Sequence, residues 1–124
     1  MKKNADVSHM EELFELVSNY FTLLSEPMRL KILYSLCEGE RSVNDIVTGI
    51  GATQANVSRH LNMMYRAKIL MRRREATQVF YRIEDQNALS ICQTVCAEMF
   101  ARIEKQDALK KNAIKNFALP AVSK

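Results

Sequence analysis

A mainly α-helical domain of about five helices with one small β-hairpin is the fold class that the sequence predicts, on three observations. Apolar residues recur at intervals of three and four along most of the chain, which is the period of an amphipathic helix. Two short helical segments are joined by a tight, glycine-containing turn at 49–51. A segment of arginine, β-branched and aromatic residues at 69–83 then has the composition of a strand pair.

Length and composition place the chain among ordinary globular proteins. It has 124 residues, of which 48% are apolar and 26% are charged, so one domain with a modest core is expected. No apolar run approaches the roughly 18 residues of a membrane span. Acids also occupy the N-terminal region where a signal peptide would need its apolar stretch. Three cysteines, an odd number, favour reduced thiols over a disulfide scaffold. We therefore expect a cytoplasmic protein without a membrane partner.

The first two helices follow from apolar spacing and from the residues at their ends. A stripe from Met10 to Leu24 predicts an amphipathic first helix, with apolar residues recurring at intervals of three and four, namely Leu13, Leu16, Val17, Tyr20, Phe21 and Leu24. Ser25 is expected to cap the second helix, because its side chain can accept a backbone N–H, and Pro27 suits a first turn. The second helix ends at Gly39, and its inward residues are Leu30, Ile32, Leu33 and Leu36.

Two further helices complete a recognisable motif. Ser42 is expected to cap a short third helix that holds Val43, Ile46 and Val47 inward and stops at the turn 49–51. Thr53 caps a fourth helix, here called the reading helix, which runs to about Lys68. A short helix, a tight turn and a second helix form the helix-turn-helix motif, whose second helix enters the major groove of DNA.

The exposed side of the reading helix carries small, amide and arginine side chains and no acid. The stripe that faces the core consists of Val57, Leu61 and Met64. Amide and guanidinium groups can bridge the edges of bases, whereas a helix meant only for the surface more often carries Glu and Lys. The expected DNA contacts on this helix are Thr53, Gln54, Asn56, Ser58, Arg59, His60 and Asn62. For His60, which flanks the core stripe, packing or a phosphate contact is expected rather than ligand binding.

A hairpin follows the reading helix and concentrates positive charge. Arg72, Arg73 and Arg74 precede a turn at 75–78, after which 79–83 return as a strand. Residues 59–82 hold seven bases and one acid, a net charge of +6 in a chain whose total is +4. A solvated basic face would also explain the charge, but a hairpin beside a reading helix is a wing that lies along phosphates or in the minor groove. The expected wing contacts are Arg72, Arg73, Arg74 and Gln78. The fold class is thus a winged helix-turn-helix.

The ends of the chain frame this domain. Residues 1–9 are expected to form a flexible arm, 10–106 the DNA-binding and dimerisation domain, and 107–124 a loosely ordered basic tail interrupted by Pro120. A fifth helix from Asp85 to about Lys105 carries a long apolar stripe. Since the earlier helices already serve the core, this stripe and the first helix predict a homodimer seam. Two-fold symmetry would suit palindromic double-stranded DNA.

Two segments resemble the ArsR/SmtB family of bacterial winged-helix repressors over about residues 10–103. They are LLSEPMRLKILYSLCEGERSVNDI and TQANVSRHLNMMYRAKIL. The resemblance implies a homodimer that represses its operator until an effector binds and weakens the DNA contact. The wing, RRREATQVFYRI, is most similar to the branch that contains HlyU and BigR. In that branch cysteine thiols sense the inducer, so a small reactive-sulfur or oxidant inducer is implied.

The sequence departs from the metal-sensing members of the family. Where they read Glu-Leu-Cys-Val-Cys-Asp-Leu at the third helix, this chain reads ERSVNDI at 40–46, and both thiolates are absent. Of the zinc pattern on the last helix only Asp85 survives, which is too little for a tetrahedral site. No cofactor and no metal site of either kind is therefore expected.

Three cysteines remain as candidate sensing thiols. Cys92 and Cys96 are four apart on the fifth helix and share a face. The resemblance implies one reactive cysteine on the second helix and one on the fifth, at the positions that Tyr34 and Phe100 occupy here. Cys37 and Cys96 are each shifted by about one turn, and these shifts compensate if the two helices pack antiparallel. Cys37 and Cys96 are therefore the expected pair.

Other interpretations of the cysteines and of the whole domain stay open. All three thiols can be small buried hydrophobes, or Cys37, Cys92 and Cys96 together can bind a thiophilic ion such as arsenite. A winged helix can also act as a protein-interaction domain that does not bind DNA. No residue arrangement supports catalysis, so an enzyme is not expected.

Overall fold

A computed structural model of the chain describes residues 2–122, with side chains for 6–113 and 115. The helices are α1 (Lys2–Leu23), α2 (Pro27–Ser35), α3 (Val43–Ile50), α4 (Gln54–Arg66) and α5 (Gln86–Val122). The strands are β1 (Arg41–Ser42), β2 (Leu70–Glu75) and β3 (Gln78–Ile83). The chain divides into two compact units, residues 1–89 and 90–124. Five helices and a hairpin, as predicted, make a winged helix-turn-helix.

The core of the first unit lies among α2, α3, α4 and the sheet. Ile32, Leu33, Ile46, Val57, Leu61 and Met64 are at most 1% exposed. Every one of these residues was expected to face inward from its spacing, so the helical period alone predicts the core of the helix-turn-helix. The stripe of α4 is buried, whereas Ala55, Arg59 and Arg66 on its opposite edge are exposed.

Local capping signals set three of the helix ends. The Ser42 hydroxyl accepts a hydrogen bond from the Asp45 N–H at 3.1 Å, and the Thr53 hydroxyl accepts one from the Asn56 N–H at 3.3 Å. Both predicted caps are confirmed. Gly51 ends α3 with φ of 75°, a left-handed conformation that favours glycine.

The predicted cap at Ser25 is wrong. Glu26 is the N-cap of α2 and makes no side-chain cap bond, while the Ser25 hydroxyl donates to the Thr22 carbonyl at 2.8 Å. Pro27 stands at the first position of α2, as predicted. Because proline excludes the residue before it from helical geometry, the boundary falls at Glu26 and Ser25 is one residue too early.

The reading helix ends slightly earlier than predicted, in a Schellman motif. α4 ends at Arg66, and Lys68 adopts φ of 63°. The Ile69 N–H donates to the Met64 carbonyl and the Lys68 N–H to the Tyr65 carbonyl, both at 3.0 Å. These two bonds satisfy carbonyls that the helix end leaves unpaired and direct the chain into β2.

The hairpin has the predicted turn, and the sheet has one strand more than predicted. The strand order is β1-β3-β2, and all neighbours are antiparallel. The pairs Arg74↔Val79 and Glu75↔Gln78 leave Ala76 and Thr77 as the loop. Ala76 takes φ of 55° in place of the glycine usual there. Strand β1 was not predicted, because two residues are too few to show the alternation of inward and outward side chains that marks a strand.

Helices α1 and α5 extend beyond their predicted ends. α1 begins at Lys2, inside the expected arm, and α5 continues to Val122, inside the expected tail and past Pro120. The apolar stripe of the fifth helix weakens after about 105, but Ala, Leu, Lys and Gln, which are strong helix formers, continue. The loose ordering expected of both ends remains a prediction.

Candidate nucleic-acid interface

A groove of about 640 Å³ runs between the start of α3, the first turns of α4 and the hairpin. Its walls are mostly polar, and three arginines contribute to them. Six of the residues expected from the sequence to contact DNA line this groove, namely Gln54, Ser58, Arg72, Arg73, Arg74 and Gln78. The fold thus gathers side chains of the reading helix and of the hairpin on one concave surface.

The outer edge of α4 is exposed in part, and a hydrogen bond joins two of its side chains. Thr53, Gln54 and Arg59 are exposed, whereas Asn56 and Ser58 are half-buried. The Arg59 Nη2 donates to the Asn56 Oδ1 at 2.9 Å, so these two side chains hold each other one turn apart. Asn62, also expected to contact DNA, is half-buried farther along the helix.

His60 is a buried structural residue. The residue is only 2% exposed, and its Nδ1 accepts a hydrogen bond from the Arg29 Nε at 3.2 Å. Arg29 also donates to the carbonyl of Leu23 at 3.2 Å, so it connects the end of α1 to α4. Burial, followed by the charges of Arg59 and Arg29, lowers the pKa of His60. This environment favours the packing role over a direct phosphate contact.

The three successive wing arginines have different environments. The Arg72 guanidinium lies 3.9 Å from the ring centre of Tyr65 on α4 and donates to the Tyr81 hydroxyl at 3.4 Å. Arg73 forms ion pairs with Glu40 at 2.6 Å and Glu75 at 2.7 Å. Among the side chains that the structure describes, no carboxylate lies within 4.0 Å of Arg74. Only part of the wing's positive charge is therefore unpaired.

Asp85, the surviving residue of the family's zinc pattern, makes hydrogen bonds within the fold through both carboxylate oxygens. Its Oδ2 accepts from the Tyr20 hydroxyl at 2.7 Å, and its Oδ1 accepts from the backbone N–H of Asn87 and Ala88. The carboxylate therefore caps α5 and joins its start to α1. Within residues 2–122, no group of three or more His, Cys, Asp and Glu side chains is placed to hold a metal ion.

The cysteines lie in two different units. Cys37 is half-buried in the turn after α2, slightly beyond the helix on which it was expected. Cys92 is half-buried and Cys96 exposed, one turn apart on α5. Burial, and then the neighbouring Cys96, raises the pKa of Cys92 and reduces its thiolate fraction at neutral pH. The pairing of Cys37 with Cys96 remains a prediction.

Sequence reasoning missed three residues that organise this surface. Arg29 holds His60, Glu40 holds Arg73, and Tyr65 supports Arg72. Arg29 and Glu40 belonged to the motifs that carried the family resemblance, but their partners lie 31 and 33 residues away. Helical or strand periodicity contains no signal for such contacts.

The fold and the groove together define a winged helix-turn-helix protein. A family model described as "Bacterial regulatory protein, arsR family" matches residues 26–70. The Biofilm growth-associated repressor of Xylella fastidiosa is 33% identical over 97 residues, 78% of this chain and 84% of that protein. The crystal structure of the transcriptional repressor BigR from the same organism is 32% identical, with a TM-score of 0.64, and the match covers 71% of this chain and 90% of that one.

Two mycobacterial proteins extend the comparison. The HTH-type transcriptional regulator KmtR of Mycobacterium tuberculosis is 35% identical over 72 residues, 58% of this chain, and the match spans 55% of KmtR. The homodimeric winged helix-turn-helix DNA-binding domain Mb0332 of Mycobacterium bovis is 27% identical, with a TM-score of 0.67, over 77% of this chain and 89% of that one. The chain belongs to the ArsR family of bacterial transcriptional regulators. The resemblance predicted from the sequence, including its BigR-like character, is confirmed.

Within residues 2–122, no helix combines the length and the hydropathy needed to cross a bilayer.

Proposed function

We propose that this protein is a transcriptional repressor that binds palindromic double-stranded DNA as a homodimer. The observation that carries the proposal is the groove, which joins the polar edge of α4 to the wing arginines. A reading helix supplies base contacts and a wing supplies backbone contacts, and both must face the same duplex. The relationship to the Biofilm growth-associated repressor supports repression as the outcome of binding.

The proposed division of labour follows the chemistry of the side chains. Gln54, Asn56, Ser58 and Arg59 reach base edges, because amide and guanidinium groups match the donor and acceptor patterns of the major groove. Arg59 is the strongest candidate, since it is exposed and Asn56 already orients it at 2.9 Å. Thr53 and Asn62 flank these contacts, and Gln78 lies at the start of β3 beside the wing arginines.

A second copy of the chain is the proposed partner of the apolar faces on α1 and α5. Leu13, Phe14, Leu16 and Phe21 of α1 are 48–62% exposed, and Val95, Met99, Phe100 and Ile103 of α5 are 44–60% exposed. Exposed apolar surface of this extent marks an interaction site. The homodimeric state of the Mb0332 domain supports a second copy as the occupant.

The DNA-binding proposal is tested on a duplex selected by the protein from a random pool. Arg59→Ala should weaken binding to that duplex by about 5- to 150-fold, corresponding to about 1–3 kcal/mol, and should affect random DNA much less. Arg102→Ala is the matched control, because Arg102 is an exposed arginine on α5 whose described partner is Glu98. Equal losses on selected and random DNA would contradict base reading. If the parent protein binds no duplex, the protein-interaction alternative replaces the proposal.

We further propose that cysteine chemistry releases the DNA. A persulfide or an oxidant would convert the thiols of Cys37 and Cys96 into a disulfide or a sulfur-bridged pair. In disulfide formation the two thiols lose two protons and two electrons, which the oxidant accepts, or which a persulfide accepts as it breaks into a thiol and hydrogen sulfide. A bridge of three sulfurs needs two persulfide molecules, one to donate its outer sulfur and one to accept the two electrons, and it leaves two thiols and one hydrogen sulfide. A tenfold loss of affinity requires only about 1.4 kcal/mol of preference for the released state. The kinship with BigR-like repressors and the lowered thiolate fraction of Cys92 support this pair over one that includes Cys92.

Single serine variants separate the thiol mechanisms. Cys37→Ser and Cys96→Ser should bind DNA but no longer release it on treatment with persulfide or peroxide. Cys92→Ser should respond as the parent does to these reagents, whereas it should fail to respond to arsenite if three thiolates bind that ion. Intact mass and DNA affinity are measured on the same samples. If all three variants release DNA like the parent, the thiols serve only packing.

A further inference from the structure

Arg73 of the wing forms an ion pair with Glu40, and this pair distinguishes Arg73 from the neighbouring arginines. We propose that Glu40 and Arg73 form a strap that fixes the pose of the wing, so that Arg72 and Arg74 supply its phosphate contacts and Arg73 does not. This inference rests on the proposed binding of DNA. It makes Arg73 a positioning residue and adds Glu40, an acid, to the DNA-binding machinery.

The strap has a nearly bidentate geometry. The Arg73 Nε donates to both carboxylate oxygens of Glu40, at 2.9 and 3.0 Å, and the Nη2 donates to Oε1 at 2.6 Å. Paired contacts of this kind fix both distance and orientation, unlike most surface ion pairs. The hydrogen bond from Arg73 lowers the pKa of Glu40, so the carboxylate stays charged at neutral pH.

The strap spans the whole sheet. Arg73 lies on β2, an edge strand, and its cross-strand partner is Phe80 on the central strand β3. The guanidinium lies 4.6 Å from the centre of the Phe80 ring. It then reaches Glu40, the residue immediately before β1 on the opposite edge. One side chain thereby ties the hairpin to the segment that leads into α3.

Arg73 is poorly suited to a phosphate contact, because its charge is already neutralised within the protein. Two carboxylates, Glu40 and Glu75, already pair with Arg73. A phosphate would have to displace one anion to gain another, so little counterion release would follow. Arg74 has no such competitor among the described side chains.

Arg72 and Arg74 lie on the other face of β2, because side chains alternate along a strand. Arg72 stacks on Tyr65 of α4, which shows that this face looks toward the reading helix. Arg73 borders the same groove, but Glu40 holds its guanidinium. The wing thus presents two arginines to the groove and uses the one between them as a tie.

The test is the salt dependence of DNA binding, measured for the parent, Arg73→Ala, Arg74→Ala and Glu40→Gln. Each phosphate contact contributes about 0.9 to the slope of log affinity against log salt. Arg74→Ala should lower the slope by about one unit, whereas Arg73→Ala should leave it unchanged. Glu40→Gln should raise the slope by up to about one unit, because Arg73 then keeps only a single bond, to the exposed Glu75, and can turn to phosphate. The same variant should also reduce the preference for selected over random DNA, because the wing is no longer fixed.

A charge exchange provides the control for positioning. Glu40→Arg combined with Arg73→Glu and Glu75→Gln should recover the preference that Glu40→Gln loses. Glu75→Gln is included because the Glu75 carboxylate, which pairs with Arg73, would repel an acid at position 73. Thermal unfolding shows that the variants are folded, which is expected because the Arg73 side chain is 50% exposed. An Arg73→Ala slope lower by about one unit, together with an unchanged slope for Glu40→Gln, would overturn the strap while leaving DNA binding intact. A parent protein that binds no duplex at all would overturn the proposed function, and the strap with it.

Discussion

At the scale of single residues, His60 connects the stability of the domain to pH. Burial, and then the charges of Arg59 and Arg29, holds its pKa below the ordinary value of 6.5. In the unfolded chain the imidazole is exposed and takes up a proton near that value. As the pH falls through about 6.5, the unfolded state therefore binds a proton that the folded state excludes, and stability declines toward the folded pKa.

His60→Gln should reduce this loss, because glutamine can still accept the Arg29 hydrogen bond but does not titrate. The measurement is the thermal midpoint at pH 7.5 and pH 5.5, compared between parent and variant. His9→Gln is the control, since His9 is exposed on α1 and should leave the acid-side loss as large as in the parent. An undiminished loss in His60→Gln would show that other groups cause it.

At the scale of elements, the turn between β2 and β3 contains a local strain. Ala76 adopts φ of 55°, which costs a residue with a Cβ roughly 1–2 kcal/mol. Ala76→Gly relieves that cost but increases the freedom of the unfolded chain, so a net stabilisation of about 0.5–1 kcal/mol is expected. Urea denaturation measures this change in the free energy of unfolding. Thr77→Gly, at the neighbouring position without a positive φ, should instead destabilise the domain.

The elements also show where prediction from sequence succeeds and why it stops. The caps at Ser42 and Thr53 and the buried stripe of α4 are local signals, and the structure reproduces them. Ser25 failed as a cap because Pro27 fixes the boundary one residue later. Strand β1 exists only through its pairing with β3, about 40 residues away along the chain. Contacts of that range leave no period in the sequence.

The candidate site follows the same rule. The residue types expected on the groove were predicted from chemistry and helical position, and six of them line it. The difference between Arg73 and its two neighbours was not predictable, because Glu40 becomes its partner only when β1 joins the sheet. Sequence therefore predicts which side chains face outward, and the fold decides which of their charges are free.

At the scale of the whole molecule, α1 and α5 each carry exposed apolar side chains. Val95 is 48% and Met99 44% exposed on α5. If a second copy covers them, Val95→Glu buries an unpaired charge, which costs several kcal/mol and should dissociate or unfold the dimer. Sedimentation combined with circular dichroism distinguishes these outcomes. Ala97→Glu adds the same charge on the opposite side of α5, about 200° around the helix, and should leave the dimer intact.

Dimerisation should also determine how DNA is bound. Two reading helices must reach successive major grooves about 34–36 Å apart, which a single chain cannot do. Loss of the dimer removes the second half-site, so Val95→Glu should weaken binding to the selected palindrome far more than binding to a single half-site. A parent protein that sediments as a folded monomer and still binds the palindrome tightly would contradict this arrangement. In that case the exposed faces of α1 and α5 would belong to a different partner, and the effector would have to act within one chain rather than on the spacing between two.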